Sequence, residues 1–153
     1  MISGRSFFIK LLSTLFFTGY SPLAPGTCGS LVTLILVWFL IPDNNWLLLI
    51  VTLIWLFFSI FVAKEAEELF GHDAGKINID ESAGMLISLV WIPKKFILYG
   101  VAFLLFRLYD IIKPPPIKGL EKIKGFGVTL DDLVAGFYAN VTLQILLILK
   151  LFS

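Results

Sequence analysis

Phe106-Arg107-Leu108-Tyr109-Asp110-Ile111-Ile112-Lys113-Pro114-Pro115-Pro116-Ile117 is the stretch on which the reading of this chain turns. It starts inside a long apolar run and closes on three consecutive prolines. Arg107 and Asp110 stand three residues apart, so a helix puts them on one face. Lys113 precedes Pro114, and a residue before proline is pushed out of the helical region, which predicts a helix end near Ile112. The prolines then predict a stiff, extended connector without backbone donors. A charge at the centre of a membrane helix costs about 2.5–3.5 kcal/mol on insertion scales. A run this apolar that places Arg and Asp together is expected to use them.

The surroundings of that stretch are equally apolar. Of 153 residues, 58% are hydrophobic and only 15% are charged, with a mean hydropathy of +0.94. Length and composition together predict one membrane-embedded domain covering residues 1–153. The fold expected is all-α, a bundle of about four to six helices, some of them short or re-entrant. The net charge of +1 is uninformative as a sum, and no nucleic-acid partner is expected. Cys28 is the sole cysteine and His72 the sole histidine, which excludes an intrachain disulfide, a CxxC pair and a multi-histidine metal site. Carboxylates are the plentiful hard-metal ligands. Arg5 followed by the apolar residues 7–17 resembles a signal peptide, but Lys10 interrupts the run and residues 21–25 make a poor cleavage site, so retention is expected.

The pattern predicts six helices. The first covers residues 6–18 and is short for a span, which needs about 20 residues. A Gly-, Ser- and Thr-rich loop from Tyr20 to Ser30 precedes the second, which ends near Ile41. Pro42-Asp43-Asn44-Asn45 reads as a turn. The third runs from Trp46 through Val62 and continues as a polar extension to a stop at Gly71. The fourth begins at Asp80-Glu81 and ends near Trp91. The fifth covers residues 96–112. A basic, glycine-bearing loop spans residues 114–128, and Thr129 with Asp132 reads as a capping box opening the sixth, to about Leu151.

Following these crossings divides the charges. Glu65, Glu67, Glu68, Asp73, Asp80, Glu81, Asp110, Glu121, Asp131 and Asp132 fall at one membrane face and only Asp43 at the other. Lys64, Lys76, Arg107, Lys113, Lys118, Lys122 and Lys124 lie with the acids, which by the positive-inside tendency makes that face cytoplasmic.

Helix-dipole compensation accounts for one acid at a helix start. Asp80-Glu81 and Asp131-Asp132 put two on each of two helices, which points to a cation joining them, and carboxylate coordination suits Mg²⁺. Arg107 offers a planar fork for phosphate oxygens, and Lys113 adds a second cation. The 21–30 loop carries Thr27, Gly29 and Ser30 at a helix start, where backbone N–H groups attract anions; no lysine follows Gly29, so it is not a Walker A loop. His72 and Asp73 are candidates for general acid–base work near neutral pH.

These residues carry a resemblance. The chain resembles the phosphatidylglycerophosphatase A family in Ser21-Pro22 with Pro25-Gly26-Thr27-x-Gly29-Ser30, in His72-Asp73-x-Gly75, and in Asp80-Glu81-x-x-Gly84. It does so again in Phe106-Arg107-x-x-Asp110-Ile111-x-Lys113-Pro114-x-Pro116-Ile117 and in Gly125-x-Gly127-Val128-x-x-Asp131-Asp132-x-x-Ala135-Gly136. The resemblance implies a Mg²⁺-dependent phosphomonoesterase that converts phosphatidylglycerol phosphate to phosphatidylglycerol at the cytoplasmic face of a bacterial inner membrane. It implies metal binding by Asp80, Glu81, Asp131 and Asp132. Phosphate would be held by Arg107, Lys113 and the Thr27–Ser30 segment. Asp110 would orient Arg107, bind metal, or act as nucleophile or base; the sequence leaves these open, as it does direct water attack against a phosphoaspartyl route. The alternative weighed is a small transporter or ion-conducting subunit using the charges as a relay, which calls for charges at mid-helix depth. A phosphatidyl transferase would need a D-x-x-D-G-x-x-A-R motif, absent here.

Overall fold

The computed structural model describes residues 4–71, 74–120 and 127–151. His72, Asp73, Glu121, Lys122, Lys124 and Gly125 lie outside the described residues. The secondary structure is entirely helical: α1 (Gly4–Ser13), a 3-10 turn (Thr18–Tyr20), α2 (Pro25–Leu40), α3 (Asn45–Phe70), α4 (Ile79–Leu89), α5 (Phe96–Ile112), α6 (Ile117–Leu120) and α7 (Gly127–Ile148). The helix beyond the six expected is the single turn α6.

The fold is arranged around its shortest long-buried piece. In α4, Asp80, Ser82, Ala83, Gly84, Met85, Leu86, Ser88 and Leu89 are all buried, and α2, α3, α5 and α7 pack around it. Small residues make that approach possible. A Cβ on Gly136 of α7 would fall 2.2 Å from the Gly84 carbonyl oxygen, and one on Gly84 would fall 2.5 Å from the Asp132 carbonyl oxygen. The two helices therefore touch backbone to backbone. Asn140 of α7 donates through Nδ2 to the Ser88 and Val90 carbonyls, satisfying the last turn of α4. Phe106, Ile117, Leu143 and Leu98, all fully buried, complete the core.

The outer surface is apolar in the way lipid-facing helices are. Ile54, Phe57 and Phe61 on α3, Phe96, Ile97 and Leu104 on α5, and Phe137, Ile145 and Ile148 on α7 are all exposed. α3 and α7 are long and apolar enough to cross a bilayer, with mean hydropathies of 2.7 and 1.3 over their most apolar windows. Trp46 and Trp91 meet edge to face at one end of the bundle, ring centroids 5.2 Å apart. Trp55 Nε1 donates to Ser82 Oγ at 2.6 Å. That bond sets the head of α4 beside the middle of α3, about two turns short of Lys64, where α3 turns polar.

Four sequence readings are corrected. The Tyr20–Ser30 stretch is not all loop: Pro25 occupies the first turn of α2, where its fixed φ and missing N–H suit the helix. Thr129 is not an N-cap, because α7 already starts at Gly127. The prolines do not extend away from the bundle. Ile117 N–H donates to the Pro114 carbonyl, closing a turn, and Tyr138 Oη donates to the Pro115 carbonyl at 3.2 Å. Burial of Ile117 in the core outweighs the extended preference of the proline run. The first helix is also shorter than read. It stops at Ser13, and Ile9 and Leu12 pack on Val62, Ala63 and Ala66 of α3.

Candidate active site

Four helix ends meet at the head of α4. The N-termini of α2, α4 and α7 converge with the last turns of α5. α4 contributes Asp80 and Glu81, and α7 contributes Asp132. Oxygens of these three carboxylates lie within 4.8 Å of one another. Asp80 is 1% exposed and Asp132 5% exposed, so water does little to relieve their repulsion. Glu81 Oε2 is buried with no hydrogen-bond donor. Among the described residues no basic side chain forms an ion pair with any of the three. An oxygen-only, crowded, underneutralised set of this kind fits a hard divalent cation.

The cations stand beside the trio, each tied to a different acid. Arg107 Nη1 lies 2.7 Å from Asp110 Oδ2, both groups being about one-seventh exposed. The pair is electrostatic, not an aligned hydrogen bond, for Arg107 Nη1 and Nε are both buried without an acceptor in hydrogen-bonding geometry. Arg107 is thus held as a buried cation beside the trio, and its planar fork suits phosphate oxygens. Lys113 Nζ donates to Asp131 Oδ2 at 2.8 Å. Partial burial pulls the Lys113 ammonium pKa down. Its hydrogen bond to Asp131 and the charges of Asp131, Asp110 and Asp132 outweigh that and leave it above the ordinary value. Lys113 is therefore a fixed positive charge at neutral pH.

The third wall is the start of α2. A Cβ on Gly26 would fall 2.1 Å from Glu81 Oε1 and 3.2 Å from Arg107 Nη1. The backbone of α2 touches the site there because Gly26 has no side chain. The first N–H groups of a helix have no partner within it and carry the positive end of its dipole. Asn78 holds this arrangement: its Nδ2 donates to Thr18 Oγ1 at 2.8 Å and to the Pro25 carbonyl at 3.2 Å, bridging α4 to the start of α2.

The structure thus gathers Asp80, Glu81, Asp132, Arg107, Asp110, Lys113 and Asp131, drawn from three separate stretches of chain. It sorts the acids differently from the sequence reading: Asp131 faces Lys113, outside the carboxylate trio. Ser30 Oγ donates to the Gly26 carbonyl at 2.8 Å, and Gly29 packs against Asn78, so neither presents a side-chain donor to the trio. Gly26 and Asn78 went unnoticed in the sequence. Gly26 does lie inside the Pro25-Gly26-Thr27 motif, which was the available signal.

A buried carboxylate cluster beside a guanidinium and a helix N-terminus, all inside an apolar helical bundle, is the arrangement of a phosphate-handling enzyme. The comparisons with known proteins agree. The family model described as Phosphatidylglycerophosphatase A matches residues 11–147. A Bacteroides thetaiotaomicron protein provisionally named phosphatidylinositol-3-phosphatase is 34% identical over 149 residues, covering 92% of this chain and 94% of its own. The Escherichia coli protein named Phosphatidylglycerophosphatase A is 35% identical over 131 residues, covering 82% of this chain and 76% of its own. The Haemophilus influenzae protein of the same name is 38% identical over 140 residues, covering 87% and 85%. No solved structure matches the chain. This chain belongs to the phosphatidylglycerophosphatase A family.

Proposed function

We propose that the chain is a single membrane-embedded domain that hydrolyses the terminal phosphomonoester of phosphatidylglycerol phosphate, leaving phosphatidylglycerol. The observation that carries this reading is the buried Asp80–Glu81–Asp132 trio with the Arg107 guanidinium beside it, the two meeting at Gly26. The substrate comes from the family and its named relatives. Of the eleven acids only Asp43 falls at the other end of the bundle, which disfavours a relay through it.

Arg107 and the N-terminal N–H groups of α2 hold the phosphoryl oxygens. Asp110 fixes the guanidinium plane against rotation. Lys113 neutralises Asp131 and raises the local positive potential without giving up its proton. Asp80, Glu81 and Asp132 would hold Mg²⁺, which supplies charge neutralisation and polarisation of a phosphoryl oxygen. The low-dielectric surroundings strengthen each of these interactions relative to water. Water attacks phosphorus, the bond to the glycerol oxygen breaks, and that oxygen takes up a proton. His72 and Asp73, which lie outside the described residues, are proposed from the sequence as the proton-handling pair. The excess of Lys and Arg at the site end supports a cytoplasmic orientation in a bacterial inner membrane.

The test is phosphate release by purified protein in detergent, with phosphatidylglycerol phosphate and phosphatidylinositol 3-phosphate offered separately. Release from the first is expected in Mg²⁺ and none after chelation. Asp80→Asn and Asp132→Asn should each lower kcat by orders of magnitude and abolish the rise in Tm that Mg²⁺ gives the native chain. A native protein silent on phosphatidylglycerol phosphate in Mg²⁺ sinks the reading, and exclusive turnover of the inositol lipid replaces the substrate.

A further inference from the structure

A groove of about 290 Å³ runs between α2 and α5 on the lipid-facing flank of the bundle. Leu31, Ile35 and Trp38 form one wall, and Tyr99, Gly100 and Phe103 the other. The helical rows that build these walls can be followed toward the site. On α5 the row Tyr99, Phe103 continues one turn on to Arg107. On α2 the row Trp38, Ile35, Leu31 continues one turn back to Thr27, next to Gly26. Arg107 and Gly26 adjoin one another, so both walls end at the phosphate-binding edge. The groove is apolar along its length and its walls run on toward the Arg107 guanidinium, so a lipid tail lying in it brings its phosphate end toward that cation.

We propose that this groove holds an acyl chain of the lipid substrate, with the headgroup folding inward to bring its phosphate to Arg107. The inference rests on the lipid-phosphatase reading and adds where the tail lies. Its length fits. From Arg107 to Phe96 is about 16 Å of helix, close to half of the roughly 30 Å hydrocarbon thickness and so to one leaflet. A second apolar cavity of about 300 Å³, between α2 and α3, has neither Arg107 nor its α5 neighbours in its lining.

Gly100 provides the test. A Cβ there meets nothing within 4 Å, so Gly100→Leu fills the groove without moving the backbone. Each methylene kept off apolar surface weakens binding about fourfold, so displacing two lowers kcat/KM for dioleoyl phosphatidylglycerol phosphate about fifteenfold. Turnover of the deacylated, water-soluble headgroup phosphomonoester should stay within twofold. Leu104→Phe, on the exposed face of the same helix, should alter neither. An unchanged dioleoyl rate in Gly100→Leu, or equal losses on both substrates, overturns the proposal. Photolabelling decides it independently of turnover. Phosphatidic acid with a diazirine near the end of its tail should mark residues 34–39 and 96–100, and Gly100→Leu and Arg107→Ala should both reduce that labelling. Labelling scattered over the outer faces of α3 and α7 overturns it. If native protein hydrolyses neither substrate, the phosphatase reading fails, while the label still reports whether a phosphomonoester lipid occupies the groove.

Discussion

Replacing Gly26 with alanine adds one methyl group to the middle of the site. That methyl would lie 2.1 Å from Glu81 Oε1, whereas ordinary contact begins at 3.4 Å. The carboxylate must therefore retreat by about 1.3 Å. It can do so, because the two nearest atoms, Glu81 Oε1 and its Cδ at 2.9 Å, end a flexible side chain, and Arg107 Nη1 at 3.2 Å need give only by about 0.2 Å. The fold should survive, since alanine suits a helix better than glycine by about 0.5–1 kcal/mol. Activity should not. A misplacement of about 1 Å in a catalytic constellation costs about 10²-fold, or about 2.7 kcal/mol of barrier. We expect Gly26→Ala to release phosphate about a hundredfold more slowly than the native chain, with Tm unchanged or raised by a degree or two. The assay is initial-rate phosphate release in detergent with saturating Mg²⁺, beside a thermal melt of the same preparation. Activity within threefold of native, with an intact melt, would refute the placement of Gly26, Glu81 and Arg107 in one catalytic centre.

Gly136→Ala should fail in the opposite manner. Its Cβ meets the Gly84 backbone at 2.2 Å, which no side-chain rotation relieves, so α4 and α7 are forced apart at a cost of about 1–3 kcal/mol or more, read as a fall in Tm. Arg107→Lys keeps the charge but loses the fork, and kcat should drop about 10²-fold or more, while a rate within fivefold of native would make Arg107 a mere anchor. Lys113→Met leaves Asp131 without its partner and should cost about 1–3 kcal/mol. The pH sign follows from the raised Lys113 pKa. Its stabilising contribution is complete below the ordinary value of 10.5 and disappears as pH climbs through the raised one. Native Tm should therefore fall on the alkaline side, and Lys113→Met should flatten that limb.

The bounds of α5 were legible because prolines flank it: Pro93 stands before its start and Pro114 after its end. The start of α2 was not. Glycine, serine, threonine and cysteine in succession read as a loop in water, but in apolar surroundings Ser30 and Thr33 return their hydroxyls to the Gly26 and Gly29 carbonyls and the helix continues. Spacing showed that Asp131 and Asp132 belong at the same end as Asp80 and Glu81. It did not show which acid faces which partner. Adjacent helical residues point about 100° apart, so Asp132 meets the trio while Asp131 meets Lys113. Gly26 was silent for a deeper reason. A residue that matters by leaving space shows its importance only when its neighbours from other helices are in place.

The burial of α4 bears on how the protein is made. Its eleven residues open with two carboxylates and cover only about 17 Å, too short and too polar to rest in a bilayer alone. Its last carbonyls need Asn140, which is synthesised some fifty residues later. The helix at the centre of the bundle is thus the one that cannot arrive by itself. It must wait, shielded by its neighbours or by the insertion machinery, until α7 emerges to close over it. Assembly of the enzyme then becomes a single event, in which α7 completes the acidic cluster and the core together.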